Sequence, residues 1–234
     1  MKNAVINFSG NVGKSTVARH LLAPRMNNCD VISVETINSD DHDGEQVKEV
    51  KGKEFANIIE AMLFVDDMVV DVGASNVEQL IQQMKQYRGS HEDFDLFIIP
   101  TTPVKKQQRD TISTIEALAE IGVPARKIRL LFNMVEPDDD VREVFSGLFD
   151  YHEAEKSFVL NPNAVLRTNP IYSKLTGAGM TISEVLADPT DYKAMIKDAK
   201  DVDEKLRLSA HVANKRLAIG VKDQLDAAYK ALVK

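Results

Sequence analysis

Residues 8–16 read F-S-G-N-V-G-K-S-T and directly follow the run Ala4–Asn7, A-V-I-N. An apolar strand that leads into a glycine-rich turn ending in Gly-Lys-Ser is typical of a phosphate-binding loop. Glycines let successive backbone N–H groups converge on one anion, and the helix that starts near Ser15 adds the positive end of its dipole. The sequence therefore predicts that this segment, called here the phosphate loop, binds a nucleoside triphosphate.

Individual roles follow from the chemistry of the side chains in this loop. Lys14 is expected to reach the β- and γ-phosphates, and the Ser15 hydroxyl is expected to bind Mg²⁺. The predicted cofactors are thus ATP and Mg²⁺. The predicted nucleotide-binding residues in the loop are Ser9, Gly10, Asn11, Val12, Gly13, Lys14, Ser15 and Thr16.

Composition limits the class of protein. The chain has 234 residues, 44% hydrophobic and 28% charged, which suits a globular α/β domain. No run approaches the ~20 apolar residues that a membrane span needs. The single cysteine, Cys29, fits a reducing cytoplasm, which is the predicted location. A net charge of −7 disfavours direct DNA binding, so contact with DNA through a partner protein is the more plausible route.

Apolar, β-branched runs alternate with stretches of helical periodicity. Near-continuous apolar strands are expected in a parallel sheet covered on both faces. The sequence therefore predicts an α/β, three-layer fold of the P-loop NTPase type, with a mainly parallel sheet and ligands at the carboxyl ends of the strands. The predicted strands are Ala4–Asn7, Asp30–Val34, Met68–Val72, Leu96–Pro100 and Arg129–Phe132, and the predicted helices are Ser15–Leu22, Phe55–Leu63, Asn76–Tyr87 and Arg109–Ile121.

Acidic residues follow two of the predicted strands. Asp71 lies at the tip of Met68–Val72 with Gly73 two residues later, as in a Walker-B or switch-two element that holds a water bound to Mg²⁺. Glu35 and Asp40, or the adjacent Asp41, follow the strand Asp30–Val34. The region resembles that of ParA/MinD-type P-loop ATPases, and this resemblance implies that one of these residues positions the attacking water. A polar surface loop rich in Asp and Gly is the alternative interpretation. The predicted catalytic residues are Lys14, Asp71, Glu35 and Asp40, and the predicted metal ligands are Ser15 and Asp71.

Asn133 follows the predicted strand Arg129–Phe132. Its side-chain amide can both donate to and accept from the edge of a base, although a turn-forming asparagine is the alternative. The residues that follow, Met134-Val135-Glu136, lack the N/T-K-x-D pattern of guanine-specific proteins, which favours adenine.

The C-terminal region is helical and charged. Apolar residues from Leu206 to Leu232 recur at steps of three and four, which predicts a long amphipathic helix. Residues 1–190 are therefore expected to form a nucleotide-binding domain and residues 191–234 a C-terminal helical extension packed on it.

The phosphate loop departs from the common pattern G-x-x-x-x-G-K-[ST], because Phe8 replaces the first glycine. The spacing of Gly10 and Gly13 resembles instead the deviant Walker A loop of the ParA/MinD-type P-loop ATPases, K-G-G-x-G-K-[ST]-T. In that alignment Ser9 stands at the signature lysine and Asn11 at the second glycine. The stretches I-N-F-S-G-N-V-G-K-S-T-V-A-R and V-E-T-I-N-S-D are similar to those of StbB-type plasmid stability proteins.

The resemblance implies an ATP-dependent switch in plasmid stability, partition or conjugation, with a nucleotide-dependent homodimer and a small DNA-binding partner protein. It also implies that Asn133 pairs with the adenine edge. Since Ser9 replaces the lysine that reaches the partner subunit's phosphates in this family, only weak ATP hydrolysis is expected. Two alternatives remain open: a small-molecule kinase or ligase with the same loop, and a nucleotide-binding adaptor that does not hydrolyse ATP.

Overall fold

The computed structural model describes residues 1–34, 55–176 and 179–234. The strands found there are β1 Lys2–Val5, β2 Val31–Val34, β3 Met68–Val72, β4 Leu96–Thr101, β5 Ile128–Val135 and β6 Val165–Arg167. They form one sheet in the order β2-β3-β1-β4-β5-β6, and every neighbouring pair is parallel. The strand β1, which carries the phosphate loop at its carboxyl end, therefore lies inside the sheet between β3 and β4.

Helices lie between these strands and after the last one. Their bounds are α1 Lys14–Thr16, α2 Phe55–Phe64, α3 Val77–Gln86, α4 Lys105–Glu120, α5 Val141–Val144, α6 Ser146–Glu155, α7 Pro170–Thr176, α8 Ile182–Ala187, α9 Tyr192–Asp198 and α10 Val202–Val233. Short 3₁₀-helices occupy Ala74–Asn76, Ser90–Asp93 and Ala125–Lys127.

Burial explains why these runs form a parallel sheet. Every residue of β3 and β4 is buried, as expected for strands that helices cover on both faces. Aromatic rings join the sheet to the helices: the Phe132 ring lies 4.7 Å from Phe145 and 5.7 Å from Phe149, between ring centroids. The predicted α/β fold with a mainly parallel sheet and a C-terminal helix is confirmed.

Two local features differ from the predicted elements. The helix predicted over Ser15–Leu22 begins at Lys14 but continues as a π-helix over Val17–Leu22 and a 3₁₀-turn over Ala23–Arg25, which contains Pro24. Proline lacks the N–H that an α-helix would use there. The strand β6 was not predicted, because three residues between turn-forming segments carry too little periodicity to identify a strand.

The described chain divides into two compact units. One comprises Met1–Thr168 together with Ala227–Lys234, and the other comprises Asn169–Asp226. In the first unit the end of α10 is anchored, because the Asn161 amide donates to the Ala231 carbonyl at 3.0 Å and Leu232 is buried. The domain boundary near residue 190 stays a prediction.

The second unit has its own polar contacts. Thr181 and Glu184 form a capping box at the start of α8. The ring of Tyr192 stacks on His211 with 4.6 Å between centroids, and its hydroxyl donates to Asp188.

Within residues 1–34, 55–176 and 179–234, no helix has the length and hydropathy needed to cross a bilayer.

Candidate functional site

The phosphate loop connects β1 to α1 at the carboxyl edge of the sheet. β1 pairs with β3 on one side and with β4 on the other. Asp71, near the end of β3, is in register with Val5 of β1 and with Ser33 of β2. The fold therefore brings the loop and the predicted acidic residue of β3 to the same edge of adjacent strands, where parallel α/β sheets bind ligands.

The turn over Asn11–Lys14, called here the Gly13 turn, has two left-handed residues. Gly13 has φ 83° and Asn11 has φ 57°. Asparagine is among the few residues other than glycine that adopt this conformation readily, because its short polar side chain is tolerated there. Asn11 therefore supplies a left-handed backbone at a position where glycine is the usual residue.

Asn133 closes against the Gly13 turn from β5. The pairing of β5 with β6 has a register shift between Phe132 and Val135, so the strand bulges where Asn133 lies. Bulges redirect side chains, and the buried Asn133 amide donates to the Val12 carbonyl at 2.8 Å. A Cβ atom added to Gly13 would lie 2.3 Å from Asn133 Nδ2, so only glycine fits this approach. The predicted pairing of Asn133 with adenine stays a prediction.

The Lys14 side chain folds back into the loop. Its ammonium group is buried and donates to two loop carbonyls, those of Asn7 at 3.1 Å and Ser9 at 2.7 Å. A buried ammonium needs such acceptors because desolvation of a charge is costly. The contacts hold a positive charge inside the curl of the loop, which suits a polyanionic ligand.

Ser15 and Asp71 are chemically suited to Mg²⁺. Ser15 is exposed at the start of α1, and Asp71 is buried at the carboxyl end of β3. Hydroxyl and carboxylate oxygens are the hard ligands that Mg²⁺ prefers, with waters and phosphate oxygens completing its octahedron. In the part of the chain that the structure describes, no group of three or more His, Cys, Asp or Glu side chains could hold a metal ion. A Mg²⁺ ion held by Ser15 and Asp71 would therefore need water or phosphate oxygens as its other ligands.

The beginning of the loop is bound to α4. Asn7 donates through its amide to the Thr111 hydroxyl at 2.8 Å and to the Pro100 carbonyl at 2.9 Å. The Phe8 N–H donates to the Thr114 hydroxyl at 3.1 Å. Both threonines are buried in the face of α4 that packs against the loop.

The next two loop residues contact the same helix. The Ser9 hydroxyl donates to the Asp110 carboxylate, and its N–H donates to Asn7 Oδ1 at 2.8 Å. Gln107 Nε2 donates to the Gly10 carbonyl at 3.1 Å. Ser9, which aligns with the signature lysine of the deviant Walker A loop, is thus hydrogen-bonded within its own chain.

Sequence reasoning missed these α4 residues. Gln107, Asp110, Thr111 and Thr114 follow helical spacing, so they form a polar stripe beside the apolar stripe of the same helix. The polar stripe indicates that α4 packs against a polar neighbour, although it does not identify that neighbour. Glu35, Asp40 and Asp41 lie outside the described residues, so their predicted catalytic role stays a prediction.

No family model matches the chain, and no curated protein matches its sequence. Solved structures do match its fold. Cyanothece McdA in its apo form is 11% identical, with 98% of this chain and 96% of that chain covered at a TM-score of 0.54. A chain of the MinC:MinD cell division protein complex from Aquifex aeolicus is 13% identical, with 94% and 95% covered at a TM-score of 0.52. The chain therefore shares the α/β fold of the McdA and MinD structures, which confirms the predicted fold class.

Proposed function

We propose that this protein is a nucleotide-dependent switch of the ParA/MinD type that binds Mg²⁺-ATP in the phosphate loop. The observation that carries the proposal is the buried Lys14 ammonium, held by the Asn7 and Ser9 carbonyls inside a loop that follows a central parallel strand. A cation already held at a glycine-containing turn between a strand and a helix matches the charge of a polyphosphate.

The proposed chemistry is hydrolysis of ATP to ADP and phosphate at a low rate. Lys14 and the loop amides stabilise the charge on the transferred phosphoryl group, while Ser15 and Asp71 hold Mg²⁺ and its waters. Asp71, Glu35 or Asp40 positions the attacking water. Weak turnover is expected because Ser9, which donates to Asp110, supplies no positive charge to a neighbouring active site.

The proposed biological role is plasmid stability, partition or conjugation, in the cytoplasm, with a small DNA-binding partner protein. Two exposed apolar side chains at the carboxyl ends of β4 and β5 support a protein–protein contact at this edge: Val104 is 56% exposed after β4, and Met134 is 43% exposed in β5. The similar chain from Aquifex aeolicus was solved in a complex of MinC and MinD. A nucleotide-dependent homodimer is part of the same proposal.

Calorimetric titration with ATP, ADP and GTP in Mg²⁺, followed by light scattering of each complex, tests nucleotide binding and dimerisation. We expect ATP to bind more tightly than GTP.

Lys14→Met should weaken ATP binding about 10- to 100-fold, because hydrogen bonds to a charged group contribute about 1.5–3 kcal/mol. The matched control is Lys85→Met, which removes an exposed lysine paired with Glu120 and should leave affinity unchanged. Equal ATP affinity in both variants would contradict the proposed site.

Hydrolysis separates the switch from the two alternatives. A switch releases γ-phosphate slowly in a single turnover and dimerises with ATP, whereas an adaptor binds ATP without release. A kinase or ligase consumes ATP only with its acceptor and does not dimerise in response to ATP. Rapid ATP turnover without a partner would contradict the weak hydrolysis proposed here.

A further inference from the structure

Four consecutive residues, Asn7–Gly10, are each hydrogen-bonded to a side chain of α4, and this segment is called here the loop stem. Its partners on the helix, called here the α4 clamp, are Gln107, Asp110, Thr111 and Thr114. Most phosphate-loop contacts are made by backbone to ligand. In this chain, side chains from a single helix face also fix the first turn of the loop.

We propose that Asp110 and Gln107 are positioning residues for nucleotide binding, a role that rests on the proposed function. Asp110 accepts from the Ser9 hydroxyl, and Gln107 donates to the Gly10 carbonyl. Ser9 and Gly10 immediately precede the Gly13 turn, and the Ser9 carbonyl also accepts from Lys14 Nζ at 2.7 Å. The clamp therefore fixes the carbonyl that orients the lysine, so less conformational freedom is lost when a polyphosphate binds.

Because Asp110 is negatively charged, the direction of the change in ATP affinity distinguishes positioning from electrostatic repulsion. A carboxylate next to a polyphosphate site opposes anion binding through Coulomb repulsion. If repulsion dominated, removal of the carboxylate would tighten ATP binding. If positioning dominates, as we propose, removal of the acceptor weakens binding, whereas removal of the charge alone does not.

The experiment compares Asp110→Ala with Asp110→Asn in calorimetric titrations with Mg²⁺-ATP and Mg²⁺-ADP. Asp110→Ala should weaken both nucleotides about tenfold, as expected for the loss of one hydrogen bond that orders the loop. Asp110→Asn keeps an oxygen that accepts from Ser9, so it should bind within about twofold of the wild type or more tightly. Ser113→Ala, on the exposed face of α4, is the control and should change nothing.

A second set of variants removes the same contacts from other positions. Ser9→Ala should weaken nucleotide binding like Asp110→Ala, and the double variant should be no weaker than either single one. Gln107→Ala should also weaken binding, by less, because its bond to the Gly10 carbonyl is between neutral groups. Hydrogen exchange of the free protein should show faster exchange at the Ser9 and Gly10 amides in Asp110→Ala.

Several results would overturn the proposal. Unchanged or tighter ATP binding by both Asp110→Ala and Ser9→Ala would do so while leaving the proposed function intact. A lower melting temperature of Asp110→Ala with unchanged affinity would assign the residue a purely structural role. If Asp110→Ala fails to fold, Ser9→Ala and Asp110→Asn decide the question. No nucleotide binding by the wild type would reject the proposed function and this inference together.

Discussion

The loop stem and the Gly13 turn are adjacent in sequence but are held by different physical means. Side chains of α4 bind the loop stem through hydrogen bonds across the carboxyl edge of the sheet. The Gly13 turn is held by left-handed backbone at Asn11 and Gly13 and by close contact with Asn133. A hydrogen-bond partner can be exchanged for another polar group, whereas the Asn133 side chain packed against Gly13 leaves no room there for a Cβ atom.

This difference predicts which substitutions change nucleotide affinity and which change the free energy of unfolding. Substitutions in the loop stem or the α4 clamp should act mainly on nucleotide binding, because they change how well the loop is pre-ordered. Substitutions at Asn11 and Gly13, the left-handed residues of the Gly13 turn, should act first on folding, because they force atoms together or impose an unfavourable φ. The predictions below test that division, beginning with the largest expected effect.

Gly13→Ala should be the most damaging change. A left-handed alanine costs about 1–2 kcal/mol, and the added Cβ would overlap Asn133 Nδ2, so the free energy of unfolding should fall by about 3 kcal/mol. Thermal or urea denaturation of the free protein measures this. The control is Gly147→Ala, since Gly147 lies in α6 with open space around its Cβ position within the described residues. Wild-type stability of Gly13→Ala would show that the turn is held in some other way.

Asn133→Ala should be the next largest. It removes the donor to the buried Val12 carbonyl, and a buried polar group left without a partner costs about 1–3 kcal/mol. The same change makes room for a Cβ on Gly13, so the double variant Gly13→Ala/Asn133→Ala should be more stable than the sum of the two losses predicts. Strictly additive losses in denaturation would argue against steric contact as the reason for glycine.

Much of this architecture is visible in the sequence. The spacing of Gly10, Gly13 and Lys14 identified the loop, and apolar runs located five of the six strands that the described part of the chain contains. These signals are local, because strand burial and loop curvature are determined by neighbouring residues. The partner of Ser9 is different in kind: Asp110 is 101 residues away, and only the packing of α4 brings the two together.

The bulge at Asn133 was hidden for a related reason. The predicted strand ended at Phe132, but β5 continues to Val135 with one additional residue relative to β6. Periodicity assumes an unbroken alternation of sides, and a bulge interrupts it. The π-helical segment Val17–Leu22 has no distinguishing local sequence that we can identify.

Asn11 provides a smaller test of the Gly13 turn. Its side chain is exposed and its φ is 57°, so its identity matters through backbone conformation and not through packing. Asn11→Ala should lower the free energy of unfolding by about 1 kcal/mol, whereas Asn11→Gly should be close to neutral. Denaturation curves of the two variants measured side by side decide this. Equal stability of both would mean that the left-handed conformation imposes no penalty at this position.

Gly10→Ala should have the smallest effect on stability, and it tests the loop stem. Among the described residues other than its two chain neighbours, no atom lies within 4 Å of a Cβ placed on Gly10, and its φ is not in the left-handed region. The free protein should therefore keep its free energy of unfolding within about 0.5 kcal/mol. If a phosphate occupies this space, the added methyl group must weaken ATP binding, measurable by calorimetry, while the melting temperature stays constant. Unchanged affinity would place the polyphosphate away from Gly10 and would leave the Gly13 turn as the part of the loop that contacts it.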